Sequence, residues 1–200
     1  MAFRVFISLI VIICAYLAFE TIRYKLIQSS LLNEEPEYVL GNPDGDLTLV
    51  NFIDYSCPPC REGHPYLDRA LQNDGNVKYI PRPISVLDAK GINAALLPYA
   101  AAKQGKFSEM HYALIENYRM INDQVLQDLS LEIGVDHQQL KTDLEDKVVL
   151  EAFEKNMNLL KSYRLESIPS YAIDRNILFS PKDGVSVNEF LAIFGEARGE

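Results

Sequence analysis

Two of the chain's three cysteines, Cys57 and Cys60, stand in a single C-x-x-C, Cys57-Pro58-Pro59-Cys60. Two chemistries use that spacing: a dithiol–disulfide couple and one half of a zinc site. Residues 47–55 (LTLVNFIDY), directly before the pair, are β-rich and apolar enough for a strand buried on both faces. After it, residues 61–72 carry Tyr66, Leu67, Ala70 and Leu71 at helical spacing, and Asn73-Asp74-Gly75 closes that helix. A strand that feeds C-x-x-C into a helix puts Cys57 at the helix N-terminus, where unpaired N–H groups and the macrodipole favour an anion. The Cys57 thiol is therefore expected to titrate below the free value of about 8.5. Cys60, one turn deeper, can reach Cys57 but is poorly placed to attack a bulky substrate. Cys57 thus reads as the nucleophile and Cys60 as the resolving thiol. Pro58 and Pro59 stiffen the turn, and prolines cost little early in a helix because donors there are unpaired anyway.

The metal reading stays open as an alternative, a metal-binding or chaperone module that uses the cysteines as ligands. His64 would supply a third ligand in C-x₂-C-x₃-H, but a fourth is not apparent. His111 and His137 fall in a helical block, and Cys14 lies in the apolar N-terminus. His64 itself reads as an exposed helix residue rather than a ligand or a proton carrier. No metal and no cofactor is expected. Three cysteines are too few for a disulfide-stapled scaffold. A formal charge of −9 argues against nucleic acid, which demands a basic face.

These residues must be positioned by the rest of a 200-residue chain, a length that suits one domain and an appendage. The appendage is residues 1–30. Residues 5–19 (VFISLIVIICAYLAF) are uncharged, and fifteen residues of helix span about 22 Å against a hydrocarbon core of about 30 Å. Residues 2–3, with Arg4 snorkelling, bring the segment near the minimum span. A cleaved signal peptide has a similar length, but no small-x-small cleavage site follows and residues 21–27 continue the helix. Cys14 reads as a membrane-buried thiol without a role. Residues 31–46 form a polar, Pro- and Gly-punctuated connector that could be flexible.

The catalytic unit then covers residues 47–200. A second strand is expected over 76–84, followed by helices over 89–103, 107–118, 123–133 and 148–163, with a short one after Asp136. Strands return at 170–173 and 177–179, with a turn at 174–176, and a last helix runs over 187–197. The order is that of an α/β sheet interrupted by a helical block at about 88–148.

Three separated runs, LTLVNFIDYSCPPC, GKFSEMHYALIENYR (105–119) and SIPSYAID (167–174), resemble the DsbA-like thioredoxin superfamily in the same order. The resemblance covers residues 41–195. It implies a thioredoxin-like fold with an inserted helical subdomain, and protein disulfide oxidoreductase activity at Cys57 and Cys60. It implies further that the loop at Ile168-Pro169 holds a cis proline opposite the cysteines. The partners implied are exported proteins with thiols or disulfides and a membrane redox partner. The implied place is a bacterial inner membrane, with the catalytic domain in the periplasm or extracytoplasmic space. Two positions depart from the family pattern. Asn51 stands where an acidic residue usually lies beneath the pair, and an amide cannot take a proton from the resolving thiol. Pro59 stands where the strongest oxidants carry histidine. Asp54 is nearer in sequence, but strand alternation puts it on the face opposite Asn51, as an edge-facing polar residue.

Overall fold

The computed structural model describes residues 2–86, 94–117, 121–174, 177–181 and 184–200. Among these, five strands form one sheet in the order β1-β3-β2-β4-β5: β1 (Leu40–Gly41), β2 (Leu47–Ile53), β3 (Val77–Pro83), β4 (Ser170–Ile173) and β5 (Ile177–Phe179). β2 runs parallel to β3; the other pairings are antiparallel. The short β1 edge strand needs glycine at its end. Gly41 has φ +67°, and a Cβ there would sit 2.6 Å from the Val77 carbonyl oxygen.

Central β2 is covered on both faces, as its run of Leu, Val, Phe and Ile requires. Leu47, Leu49 and Ile53 pack with Tyr79, Tyr171 and both cysteines. Val50 and Phe52 pack on the opposite side with Ile80, Ile84 and Ala172. Strand alternation therefore turns Asn51 toward the cysteines. β2 stops at Ile53, two residues before the expected end, because Asp54 forms a turn: its Oδ1 accepts the Ser56 N–H at 2.9 Å, and its carbonyl accepts from Cys57 N at 3.0 Å.

α2 (Pro58–Asp74) follows, ended by Gly75 in the left-handed region with its N–H on the Leu71 carbonyl. The inserted block holds α3 (Leu97–Ala102), α4 (Phe107–Asn117), α5 (Asp123–Ile133) and α6 (His137–Asp143). The caps expected at Asn122 and Asp136 are made: each side chain accepts a first-turn N–H. The helix expected over 89–103 is regular only from Leu97, behind a 3₁₀ turn at Ala94–Leu96. Residues 89–93, the end of the helix expected to reach residue 118, and the middle of the turn at 174–176 lie outside the described residues. α7 (Lys147–Ser162) covers the face opposite the cysteines through Leu159 and Leu160. α8 (Val187–Arg198) opens with a Ser186/Glu189 capping box and packs against α2, where Arg198 pairs with Asp74 and Asp46.

α1 (Ala2–Leu32) is one continuous helix, and its apolar side chains from Phe6 to Leu26 are exposed. Within it, residues 6–32 are long and apolar enough to cross a membrane. The expectation of a flexible connector over 31–46 is corrected. Leu31 is buried at the end of α1 against Val50, Phe52 and Ile80, and Tyr38 and Leu40 are buried in the main core. A buried arginine fixes this junction. Arg82 Nη2 donates to the carbonyls of Ser30 (3.0 Å), Leu31 (2.8 Å) and Asn33 (3.1 Å), and Nη1 pairs with Glu34. Those carbonyls include the ones a helix end leaves unpaired, so Arg82 caps α1 from inside the domain.

Candidate active site

Cys57 is the N-cap of α2 (φ −81°, ψ 114°), and its carbonyl accepts the Arg61 N–H at 3.3 Å. Pro58 and Pro59 occupy the first two helical positions and carry no N–H. Of the amides that can bond an N-cap side chain, those at the second and third positions, only Cys60's remains. Both cysteines are unpaired thiols, and both are buried, 3% and 1% exposed, beneath exposed Pro58 and Pro59. Burial, then a hydrogen bond with Cys57, pushes the Cys60 thiol far above the usual range.

Three segments close around the pair. The peptide Ile168–Pro169 is cis, and Pro169 is buried just before β4. Ser170 pairs with Phe52, and Tyr171 with Asn51, so this loop abuts the C-terminal end of β2. Burial, followed by the proximity of Cys60 and Cys57, pushes the Tyr171 phenol up. Asp54 is not an edge-facing residue; it is 3% exposed. Its carboxylate ties down the active-site loop, accepting from Ser56 Oγ at 2.6 Å and from the Val86 N–H at 2.8 Å. Alongside Pro59 runs a groove of about 850 Å³, lined by Glu62, Tyr66, Val185 and Glu189.

The expectation for His64 is also corrected. It is 1% exposed, on the face of α2 that carries Cys60, Leu67 and Leu71. The spacing of four, three and four residues among these positions already placed it inward. Its Nδ1 meets Asp68 Oδ2 at 3.2 Å. Its Nε2 meets His111 Nε2 at 3.0 Å and the Tyr79 hydroxyl at 3.3 Å. With both nitrogens engaged, it is not a third ligand alongside Cys57 and Cys60. His111, 0% exposed, also contacts the Tyr55 hydroxyl through Nδ1 at 2.7 Å. Asn51 Nδ2 donates to Tyr79 at 3.3 Å, whereas its buried Oδ1 has no hydrogen-bond partner among the described residues. His137 lies elsewhere, near Asp123, and Cys14 is exposed on α1.

A dithiol at the head of a helix, fed by a central strand and faced by a cis-proline loop, defines a thiol–disulfide oxidoreductase of thioredoxin fold. A family model described as Thioredoxin matches residues 33–192. A thioredoxin-like oxidoreductase from Silicibacter pomeroyi DSS-3 is 30% identical with a TM-score of 0.78, over 86% of this chain and 98% of that one. The catalytic domain of Proteus mirabilis ScsC is 21% identical with a TM-score of 0.73, over 86% and 94%. The chain belongs to the thioredoxin family that this family model describes. It is also similar to the Na(+)/H(+) antiporter NhaA 1 of Mycobacterium sp. (strain KMS), 26% identical over 161 residues, or 78% of this chain. The chain spans only about a quarter of the length of such curated relatives.

Proposed function

We propose that this chain exchanges disulfides with exported, thiol-bearing proteins, with Cys57 as the attacking sulfur and Cys60 as the resolving one. The observation that carries this reading is the asymmetry of the pair. Cys57 is at the open end of α2, whereas Cys60 is a turn inside and its thiol is pushed up by burial. In the reducing direction, Cys57 sulfur attacks one sulfur of a client disulfide. A mixed disulfide forms and the other client sulfur leaves with the electron pair. Cys60 then attacks Cys57, closing the Cys57–Cys60 disulfide and releasing the second client thiol. Oxidation of a client runs the same steps backwards. Pro59 withholds an amide that would stabilise a Cys57 thiolate, which favours a reductase or isomerase over a strong oxidant.

The exposed apolar length of α1 supports a membrane anchor with the domain on the extracytoplasmic side, renewed by a membrane redox partner. The groove beside Pro59 would receive the client chain. One experiment tests chemistry and place together. Cys60→Ser expressed in cells should accumulate mixed disulfides with exported proteins in the membrane fraction, whereas Cys57→Ser should not. Equal trapping by the two variants would overturn the roles, and trapping of cytoplasmic proteins would overturn the location.

A further inference from the structure

We propose that the groove beside Pro59 selects its clients by charge, taking segments that carry lysine or arginine two or three residues from the cysteine undergoing exchange. This rests on the reading that Cys57 attacks client disulfides and that the groove receives the client chain. Pro59, Glu62, Gly63 and Tyr66 of α2 form one wall. Their spacing of three, one and three residues puts them on a single helix face that begins in the active-site turn. Val185, from the loop before α8, and Glu189, from the first turn of α8, form the other wall. The space between them is about 850 Å³. That is the size of a pocket that takes up a whole small ligand, and it has room for a short client segment.

The walls are apolar at Pro59, Tyr66 and Val185 and negative at Glu62 and Glu189, both of which are exposed. Glu189 Oε2 accepts from the Ser186 hydroxyl at 2.7 Å and from the Ser186 N–H at 2.8 Å. These bonds hold its carboxyl below the usual range, so it is anionic at neutral pH. Among the described residues, no lysine or arginine lines the groove. Lys182 and Asp183, just before Gly184 in the sequence, add one charge of each sign. A cation on the client is therefore attracted and an acidic client is repelled. The register follows from the helix. Glu62 is five residues after Cys57, about 7.5 Å along the axis. An extended client covers that length in two to three residues, at about 3.3 Å each.

Gly63 is an independent sign that a chain lies here. It stands inside α2, where glycine is less stable than alanine. A Cβ at this position meets no atom of the described residues within 4 Å, and its φ is not in the left-handed region. Neither backbone conformation nor packing within the domain thus requires a glycine. What the missing side chain leaves open is the floor of the groove one turn past Pro59, where a client main chain can come into contact with the helix. Tyr66, 48% exposed, stands one turn farther on and offers a ring face to the rest of the segment. Glu62 and Glu189 are specificity-determining residues in this arrangement, and Gly63 provides the clearance.

The test is reduction of two disulfide-linked peptide dimers by the reduced chain. The dimers are identical except for lysine or glutamate at the second and third positions from the cysteine. Each reaction turns the dithiol into the Cys57–Cys60 disulfide and the dimer into two peptide thiols. The ratio of rates is divided by the same ratio with dithiothreitol, which has no groove, because a nearby lysine by itself speeds exchange at a cysteine. The lysine dimer should be preferred about tenfold at low ionic strength and about twofold at about 1 M salt. Glu62→Gln combined with Glu189→Gln, a change that a capping box accepts, should remove most of the preference. Glu154→Gln, exposed on α7 across the sheet, should keep it. Gly63→Leu should raise the melting midpoint, yet slow both dimers about tenfold and leave the reaction with glutathione disulfide unchanged; Gly63→Ala should move the same readings less far. A native ratio near one, or a ratio untouched by the paired glutamine changes, would overturn the charge selection. Native rates in folded Gly63→Leu would overturn the groove as its place. A native chain that reduced neither dimer would bring down the exchange reading as well, a distinguishable failure.

Discussion

The chemistry of the pair turns on which backbone amides reach Cys57. Pro59 removes one of the two that could, and no backbone N–H of the first turn bonds the Cys57 side chain. Pro59→Ala returns an N–H to the second helical position, one of the two that bond an N-cap side chain. A hydrogen bond to a charged group is worth roughly 1.5–3 kcal/mol. Spent on the thiolate of the reduced form, it should make the couple more oxidising by about 30–60 mV, since about 30 mV corresponds to 1.4 kcal/mol for two electrons. Equilibration with glutathione buffers measures this, and an unchanged potential would mean that the new amide does not serve the sulfur.

Strand β2, helix α2 and helix α4 together bury the imidazole of His111, and this shapes the response of the fold to acid. The His111 pKa is depressed in the folded state by burial and by His64. Below the unfolded value of about 6.5 the unfolded chain binds the extra proton and the folded chain does not. Stability is therefore fully present above about pH 6.5 and falls with acid by up to about 1.4 kcal/mol per pH unit, until the folded value is reached. Urea midpoints at neutral and mildly acid pH should show that slope, and His111→Gln should flatten it; parallel slopes would assign the loss to other groups. Much of this element level was legible in the sequence. The β2–C-x-x-C–α2 unit and the caps at Asn122 and Asp136 depend on neighbours a few residues away. The meeting of His64 with His111, 47 residues on, depends on how α4 packs across α2. Only the inward spacing of His64 could have announced it. Arg82 was hidden for a similar reason: in a strand such as VKYIPRP an arginine reads as solvent-facing, and its partners come from another element.

At the scale of the whole molecule, the junction between α1 and the domain is built like a core contact. Arg82 is 0% exposed; Glu34, Asn156 and three carbonyls take its terminal N–H groups, while its buried Nε has no hydrogen-bond partner among the described residues. Removing one member of such a buried pair costs about 3–5 kcal/mol. Glu34→Ala should lower stability by that order and raise hydrogen exchange at the last turn of α1; native exchange there would show the clamp to be dispensable. The 13 residues from Glu20 to Leu32 extend the helix past its uncharged run by about 20 Å. With α1 in a bilayer, as proposed, this length is a stalk and not a leash. A leash would let the dithiol sweep a volume; a stalk holds it within a thin shell parallel to the lipid surface. Clients would then be sorted by altitude: a cysteine displayed at that height is met by lateral diffusion in two dimensions, and one held nearer or farther is passed over whatever its sequence.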